Sequence, residues 1–185
     1  MLRPILLRLC LFRNEAERRY SERVALDVLA VMVRANLAWL KMHPGDYPPL
    51  YRSGVRYLAE PDAQRFEDWK GTHQLYHDGA GDCEDLAAHR AAELLASDAE
   101  RADMGSPVSV GCGLKRRARG RRNSYHVVVV LKYADGRTRI EDPSSRLGMY
   151  KADQVLTPLI QDAFESPGRG AEIDDVMSGD LEGAA

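Results

Sequence analysis

The sequence has few cysteines and no long apolar run. Its three cysteines, Cys10, Cys83 and Cys112, form no CxxC pair, so we expect reduced thiols rather than a disulfide scaffold or a structural zinc site. Arginines interrupt the short apolar stretches near the start, which predicts neither a signal peptide nor a membrane-spanning segment.

The chain also lacks a strong charge of either sign. Its formal net charge is −2, with 29% charged and 44% hydrophobic residues, as is ordinary for a soluble globular protein. The overall surface therefore predicts neither membrane nor nucleic-acid binding. The length of 185 residues fits one domain, residues 1–165, and we expect residues 166–185 to form a disordered acidic tail.

Hydrophobic periodicity predicts helices first and an antiparallel sheet afterwards. Apolar residues recur at helical spacing over about 15–42 and over about 83–97. Strand-like runs follow at 108–114, 125–133 and 137–142, and "ADG" between the last two is typical of a hairpin. The stretch "QVLTPLIQDAF" favours a short closing helix. This order predicts the α+β class.

Three residues in these elements suit nucleophilic catalysis. Cys83 opens the second helix, where the backbone N–H groups and the helix dipole favour a thiolate. His126 begins the second strand, and Asp142 ends the third. A thiol nucleophile needs a base, and the base needs an acceptor that orients it.

The hairpin loop decides whether Asp142 can reach His126. A two-residue turn of Asp135 and Gly136 puts the two side chains on opposite faces of the sheet. A three-residue loop over 134–136, with Gly136 left-handed, makes Asp142 a diagonal neighbour of His126 on one face. The triad hypothesis therefore predicts the three-residue loop.

The motifs "GDCEDLA", "YHVVVV" and "IEDP", with "EDWKGTHQLYHDGAGDCEDLAAHRAAEL" upstream, resemble the transglutaminase-like superfamily. The nearest members are bacterial and phage transglutaminase-like cysteine proteinases. The resemblance implies a papain-like fold, with the nucleophile at a helix N-terminus and the helices packed on an antiparallel sheet. It implies that Cys83 is the nucleophile, His126 the general base and acid, and Asp142 the imidazole orienter.

The same resemblance implies an oxyanion site. The backbone N–H of Cys83 would be one donor, and the second donor would come from upstream. The candidates are Tyr76 and His77, ranked just ahead of Trp69, and Gln74 is a further one.

Acidic residues flank the cysteine. Asp82 is the expected N-cap of the helix, with Asp85 three residues on, and these charges work against a thiolate. A calcium ion bound by Asp82 and Glu84 is the alternative, although two carboxylates are too few for calcium without further oxygens.

The segment "KRRARGRR", residues 115–122, is strongly basic. It is either a solvated loop or a docking site for an acidic partner. It lacks interleaved aromatic residues, which makes a nucleic-acid stacking platform unlikely.

These observations together predict a cysteine-nucleophile acyl-transfer enzyme, best described as a peptidase acting on proteins or peptides without an obligatory cofactor. Two alternatives stay open: a protein-glutamine transglutaminase or amidase, and a weakly active or inactive phage component that keeps the fold. The expected location is cytoplasmic or virion-associated.

Overall fold

The computed structural model describes residues 6–10, 15–59, 66–116, 125–149 and 159–162. The predicted acidic tail at 166–185 lies outside these residues. So does most of the basic segment 115–122, because the description stops at 116 and resumes at 125.

One long helix and a shorter helix that packs against it form most of the helical layer. Helix α1 runs over Glu15–Met42, as predicted, and its apolar stripe includes the buried Leu29 and Val33. Shorter helices follow at α2 (Thr72–Asp78), α3 (Cys83–Ala96), α4 (Asp98–Asp103) and α5 (Pro143–Arg146). Helix α3 packs against α1, so α1 supports the helix that carries Cys83.

The strands within the described residues form three sheets. The main sheet has the order β7-β6-β5-β8 and contains β5 (Ser109–Arg116), β6 (Tyr125–Lys132), β7 (Thr138–Glu141) and β8 (Leu159–Asp162). Its pairings are antiparallel. Two small sheets pair β1 (Leu6–Cys10) with β3 (Phe66–Lys70) and β2 (Arg56–Tyr57) with β4 (Ala80–Gly81).

The core lies between the helices and one face of the main sheet. Val127, Val129 and Leu131 of β6 are fully buried there with Leu29 of α1 and Ala91 of α3. The α+β class is thereby confirmed, whereas the finer papain-like architecture stays a prediction.

The β6–β7 hairpin has the register that the triad hypothesis predicts. Val129 pairs with Glu141, and the ladder continues without a shift to Lys132 and Thr138. The backbone N–H of Tyr133 also donates to the carbonyl of Arg137 at 3.0 Å, which leaves the three residues 134–136 in the loop. Gly136 has a φ of 83°, the left-handed conformation that such a loop requires. Asp142, one residue beyond Glu141, is therefore diagonal to His126 across the two strands.

The predicted closing helix is wrong where the structure describes it. Within "QVLTPLIQDAF", Leu159–Asp162 is strand β8, which pairs with the edge of β5. Pro158 explains the difference in part, because a proline in a helix interior removes a hydrogen bond and clashes with the preceding turn. The open edge of β5 supplies backbone partners that the sequence alone does not reveal.

Candidate active site

The side chains of His126 and Asp142 are hydrogen-bonded to each other. His126 is the second residue of β6 and is buried. Its Nε2 lies 3.0 Å from Oδ2 of Asp142, the diagonal contact that the three-residue loop permits. The structure thus brings together the predicted base and the residue predicted to orient it.

Helix α5 fixes the carboxylate of Asp142. Asp142 is the N-cap of this helix, and Pro143 follows at its first position. Oδ1 of Asp142 accepts a hydrogen bond from the backbone N–H of Ser145 at 3.1 Å, and Oδ2 accepts one from the Ser145 hydroxyl at 2.8 Å. Both oxygens are therefore held before any substrate arrives.

These contacts keep Asp142 ionised. Burial would raise the pKa of Asp142, but its hydrogen bonds with His126 and Ser145 outweigh burial and lower the pKa below its ordinary value. An ionised Asp142 accepts the proton of Nε2–H, so Nδ1 is the ring nitrogen of His126 left to exchange a proton with a nucleophile.

Cys83 lies at the first turn of α3 and is half-buried. Its Sγ donates a hydrogen bond to Oε2 of Glu84 at 2.8 Å. Among the described residues, no hydrogen bond joins the thiol to His126, although Cys83 lies beside the backbone of Val127, the next residue of β6. The structure therefore assembles the His126–Asp142 pair and places the thiol next to it with a different partner.

The environment of Cys83 favours the neutral thiol. Burial raises its pKa well above the ordinary value, the charges of Glu84 and Asp82 and the hydrogen bond to Glu84 raise it further, and only the backbone of Val127 lowers it. The helix terminus alone was expected to favour the thiolate. Burial and the two carboxylates outweigh the effect of the helix terminus on the pKa of Cys83, because both disfavour a negative charge on its sulfur.

The turn of Gly81, Asp82 and Cys83 is closely packed at its glycine. A Cβ atom on Gly81 would lie 2.6 Å from Leu75 and 2.9 Å from Cβ of Asp85, so only glycine fits. Asp85 and Asp82 form a reciprocal capping box, which confirms the predicted cap. Oδ1 of Asp85 also accepts the backbone N–H of Lys70 at 2.6 Å, which ties the helix start to β3.

The two predicted calcium ligands are Asp82 and Glu84, on either side of Cys83. Asp82 and Glu84 are both buried, and Glu84 is engaged by the thiol. Within the described part of the chain, no group of three or more histidine, cysteine or acidic side chains is placed to hold a metal ion. The residues described do not complete a calcium site, and calcium binding by Asp82 and Glu84 stays a prediction.

The two top-ranked oxyanion candidates already have other partners. The Tyr76 hydroxyl donates to the backbone carbonyl of Pro48 at 2.7 Å and lies 3.1 Å from Nε2 of His89. His77 is exposed, and its Nδ1 lies 3.1 Å from Oδ1 of Asp78. Neither group is held ready to bind an oxyanion.

Trp69 differs from the other candidates. It is 1% exposed, and its indole Nε1–H is buried with no hydrogen-bond partner among the described residues. Trp69 belongs to the core cluster against which Cys83 packs. Gln74 is engaged with Asp78, its Nε2 lying 2.6 Å from Oδ1.

A buried ionic network, which the sequence analysis missed, joins α3 to the end of β7. Nε of Arg90 donates to Oε1 of Glu141 at 2.9 Å, and its Nη1 lies 2.6 Å from carboxylate oxygens of both Glu93 and Glu100. The Tyr51 hydroxyl also donates to Glu141. Only the charged Arg90 inside an apolar helical stripe hinted at this network, because its partner Glu141 lies 51 residues away in the sequence.

The chain matches no protein-family model, no curated protein and no solved structure. The transglutaminase-like resemblance therefore rests on the motifs alone. None of the helices in the described residues is long and apolar enough to cross a membrane.

Proposed function

We propose that the protein is a cysteine-nucleophile acyl-transfer enzyme that hydrolyses peptide or amide bonds. The observation that carries the proposal is the 3.0 Å contact between Nε2 of His126 and Asp142, formed in the register that the triad hypothesis requires, beside the helix that begins with Cys83. An ionised carboxylate behind a buried histidine, next to a thiol, is the arrangement that nucleophilic catalysis needs.

The reaction follows from these roles. Sγ of Cys83 forms a bond to the substrate carbonyl carbon while its proton passes to Nδ1 of His126. The tetrahedral intermediate then expels the amine, which takes that proton, and a thioester remains. Water attacks the thioester with His126 as base, which releases the acid and restores the thiol. Asp142 holds the imidazole and stabilises its charged form throughout.

The oxyanion of the intermediate needs two donors. The backbone N–H of Cys83 is one of them by its position at a helix start. For the second donor we favour Trp69, because its buried Nε1–H has no partner among the described residues, whereas Tyr76 and His77 are engaged.

The test is peptide turnover. The wild-type protein, incubated with a degenerate peptide mixture, is expected to release new termini that mass spectrometry detects. Cys83→Ala and His126→Ala should abolish this release, and Asp142→Asn should slow it by orders of magnitude. Cys112→Ala is the matched control, since burial raises the pKa of that thiol to about 12 and we assign it no role.

The same assay separates the alternatives. If a fluorescent primary amine is incorporated into casein and no cleavage is seen, the enzyme is a transglutaminase. If the wild-type protein neither cleaves peptides nor incorporates the amine, the enzyme proposal fails and the inactive binding component is favoured.

A further inference from the structure

The Cys83 thiol has the wrong partner for immediate catalysis. A ready cysteine enzyme exchanges the thiol proton with its histidine, yet Sγ of Cys83 donates to Oε2 of Glu84 at 2.8 Å. His126 directs its Nε2 to Asp142, and among the described residues its Nδ1 has no hydrogen bond to the thiol. The proton that catalysis must remove therefore points at an acceptor outside the proposed triad.

The burial of Glu84 makes this contact consequential. Glu84 is 3% exposed and Asp82 is 7% exposed, so water screens their charges poorly. A thiolate at Cys83 would lie against two buried carboxylates. The neutral thiol avoids that repulsion and gives Glu84 a hydrogen-bond donor.

We propose that Glu84, as the acceptor of the hydrogen bond from the Cys83 thiol, keeps Cys83 as a neutral, latent thiol until the Cys83–Glu84 contact is broken. The inference rests on the proposed function and deepens it, because it assigns a resting state to the same cysteine. Activation requires that the hydrogen bond to Glu84 breaks and that the Sγ proton moves to Nδ1 of His126, which gives a thiolate and an imidazolium.

The movement required is small. The position of Sγ is set by one side-chain torsion with three staggered wells, so one rotation of Cys83 breaks the contact without moving α3. Among the described residues, the charged or titratable groups that face the thiol include Asp82 and Glu84 near the start of α3, and His126 of β6, which is hydrogen-bonded to Asp142.

The experiment compares alkylation of Cys83 by iodoacetamide across pH, with the modified peptide quantified by mass spectrometry. Glu84→Gln keeps the shape of the side chain and removes its charge. A shift of one pKa unit changes the thiolate fraction tenfold below the pKa, so we expect alkylation of Glu84→Gln at pH 7 to be about tenfold faster than that of the wild type. Asp103→Asn, which removes an exposed carboxylate from α4, is the control and should match the wild type.

Adding His126→Ala tests two hypotheses separately: the Cys83–Glu84 contact that keeps the thiol latent, which we call the latch, and the proposed triad. In the wild type, this change should alter the alkylation rate less than twofold, because the thiol donates its proton's hydrogen bond to Glu84 and not to His126. In Glu84→Gln, the same change should slow alkylation clearly, because His126 is then the proton acceptor. If Glu84→Gln reacts no faster than the wild type, the latch is overturned. If it reacts faster but His126→Ala has no effect on it, the latch stands and the proposed triad is overturned.

A measurement on the wild-type protein covers the case in which Glu84→Gln does not fold. The infrared S–H stretch, taken as the difference between the wild type and Cys83→Ala at neutral pH, should contain a band broadened and lowered in frequency relative to that of the buried Cys112. A difference spectrum without any S–H band would mean that Cys83 is already a thiolate, which refutes the latch.

Discussion

His89 makes the stability of the protein depend on pH in a way that can be calculated. It lies in the second turn of α3 and is fully buried, with Nδ1 3.0 Å from Oγ1 of Thr72 and Nε2 3.1 Å from the Tyr76 hydroxyl. Burial, with a smaller contribution from the charge of Arg90, lowers the pKa of His89 from 6.5 to about 3.

The sign of the effect follows from proton uptake. In the unfolded chain His89 takes up a proton near its ordinary pKa, whereas in the folded protein it stays neutral until far lower pH. The folded state therefore has its full His89 contribution above pH 6.5 and loses it progressively as pH falls towards 3. Between pH 7 and pH 5 this one residue should remove about 2 kcal/mol from the free energy of unfolding.

Urea unfolding measures this loss. The free energy of unfolding is determined at pH 7 and pH 5 for the wild type and for His89→Gln, which keeps a polar side chain but cannot titrate. We expect the wild type to lose about 2 kcal/mol more than His89→Gln over this interval. His77→Gln removes an exposed histidine and controls for the loss of a titrating side chain. Equal losses in the wild type and His89→Gln would show that the reasoning is wrong.

Two further predictions concern the scaffold. Replacing Gly136 by valine forces a β-branched residue to the φ of 83° and should cost about 1–2 kcal/mol in urea unfolding, and an unchanged midpoint would contradict the assigned loop. Arg90→Met removes the cation that contacts Glu93, Glu100 and Glu141 together and should cost about 3–5 kcal/mol. Arg137→Met, at an exposed ion pair, is its control and should leave the thermal midpoint nearly unchanged.

The parts of the fold that follow from local pattern were predictable. Helix α1 is specified by its own periodicity and ends just before Pro44, and α3 by its stripe and its capping box. The β6–β7 register was predictable because Gly136 at the loop restricts the choice to two registers, and only one of them lets Asp142 meet His126.

The parts that depend on tertiary partners were not predictable. Strand β8 is a strand because β5 offers an open edge, and the pairing of β2 with β4 involves only two residues on each side. The acidic residues that cap the helix at Cys83 were predictable from the sequence. Whether the thiol or the thiolate of Cys83 is favoured was not. The balance between a helix terminus that favours a thiolate and carboxylates that oppose it depends on burial, which a sequence does not display.

The buried network around Arg90 links the two halves of the proposed site mechanically. Arg90 lies two turns beyond Cys83 on α3, and its partner Glu141 immediately precedes Asp142. A rigid helix and a strand end joined by a buried ion pair cannot slide independently, because leaving either charge unpaired in the interior is costly. The position of Asp142 relative to Cys83 is therefore set by residues to which the proposed reaction assigns no role. The Cys83 side chain, with one torsion and a contact to Glu84, can change partners without moving this framework.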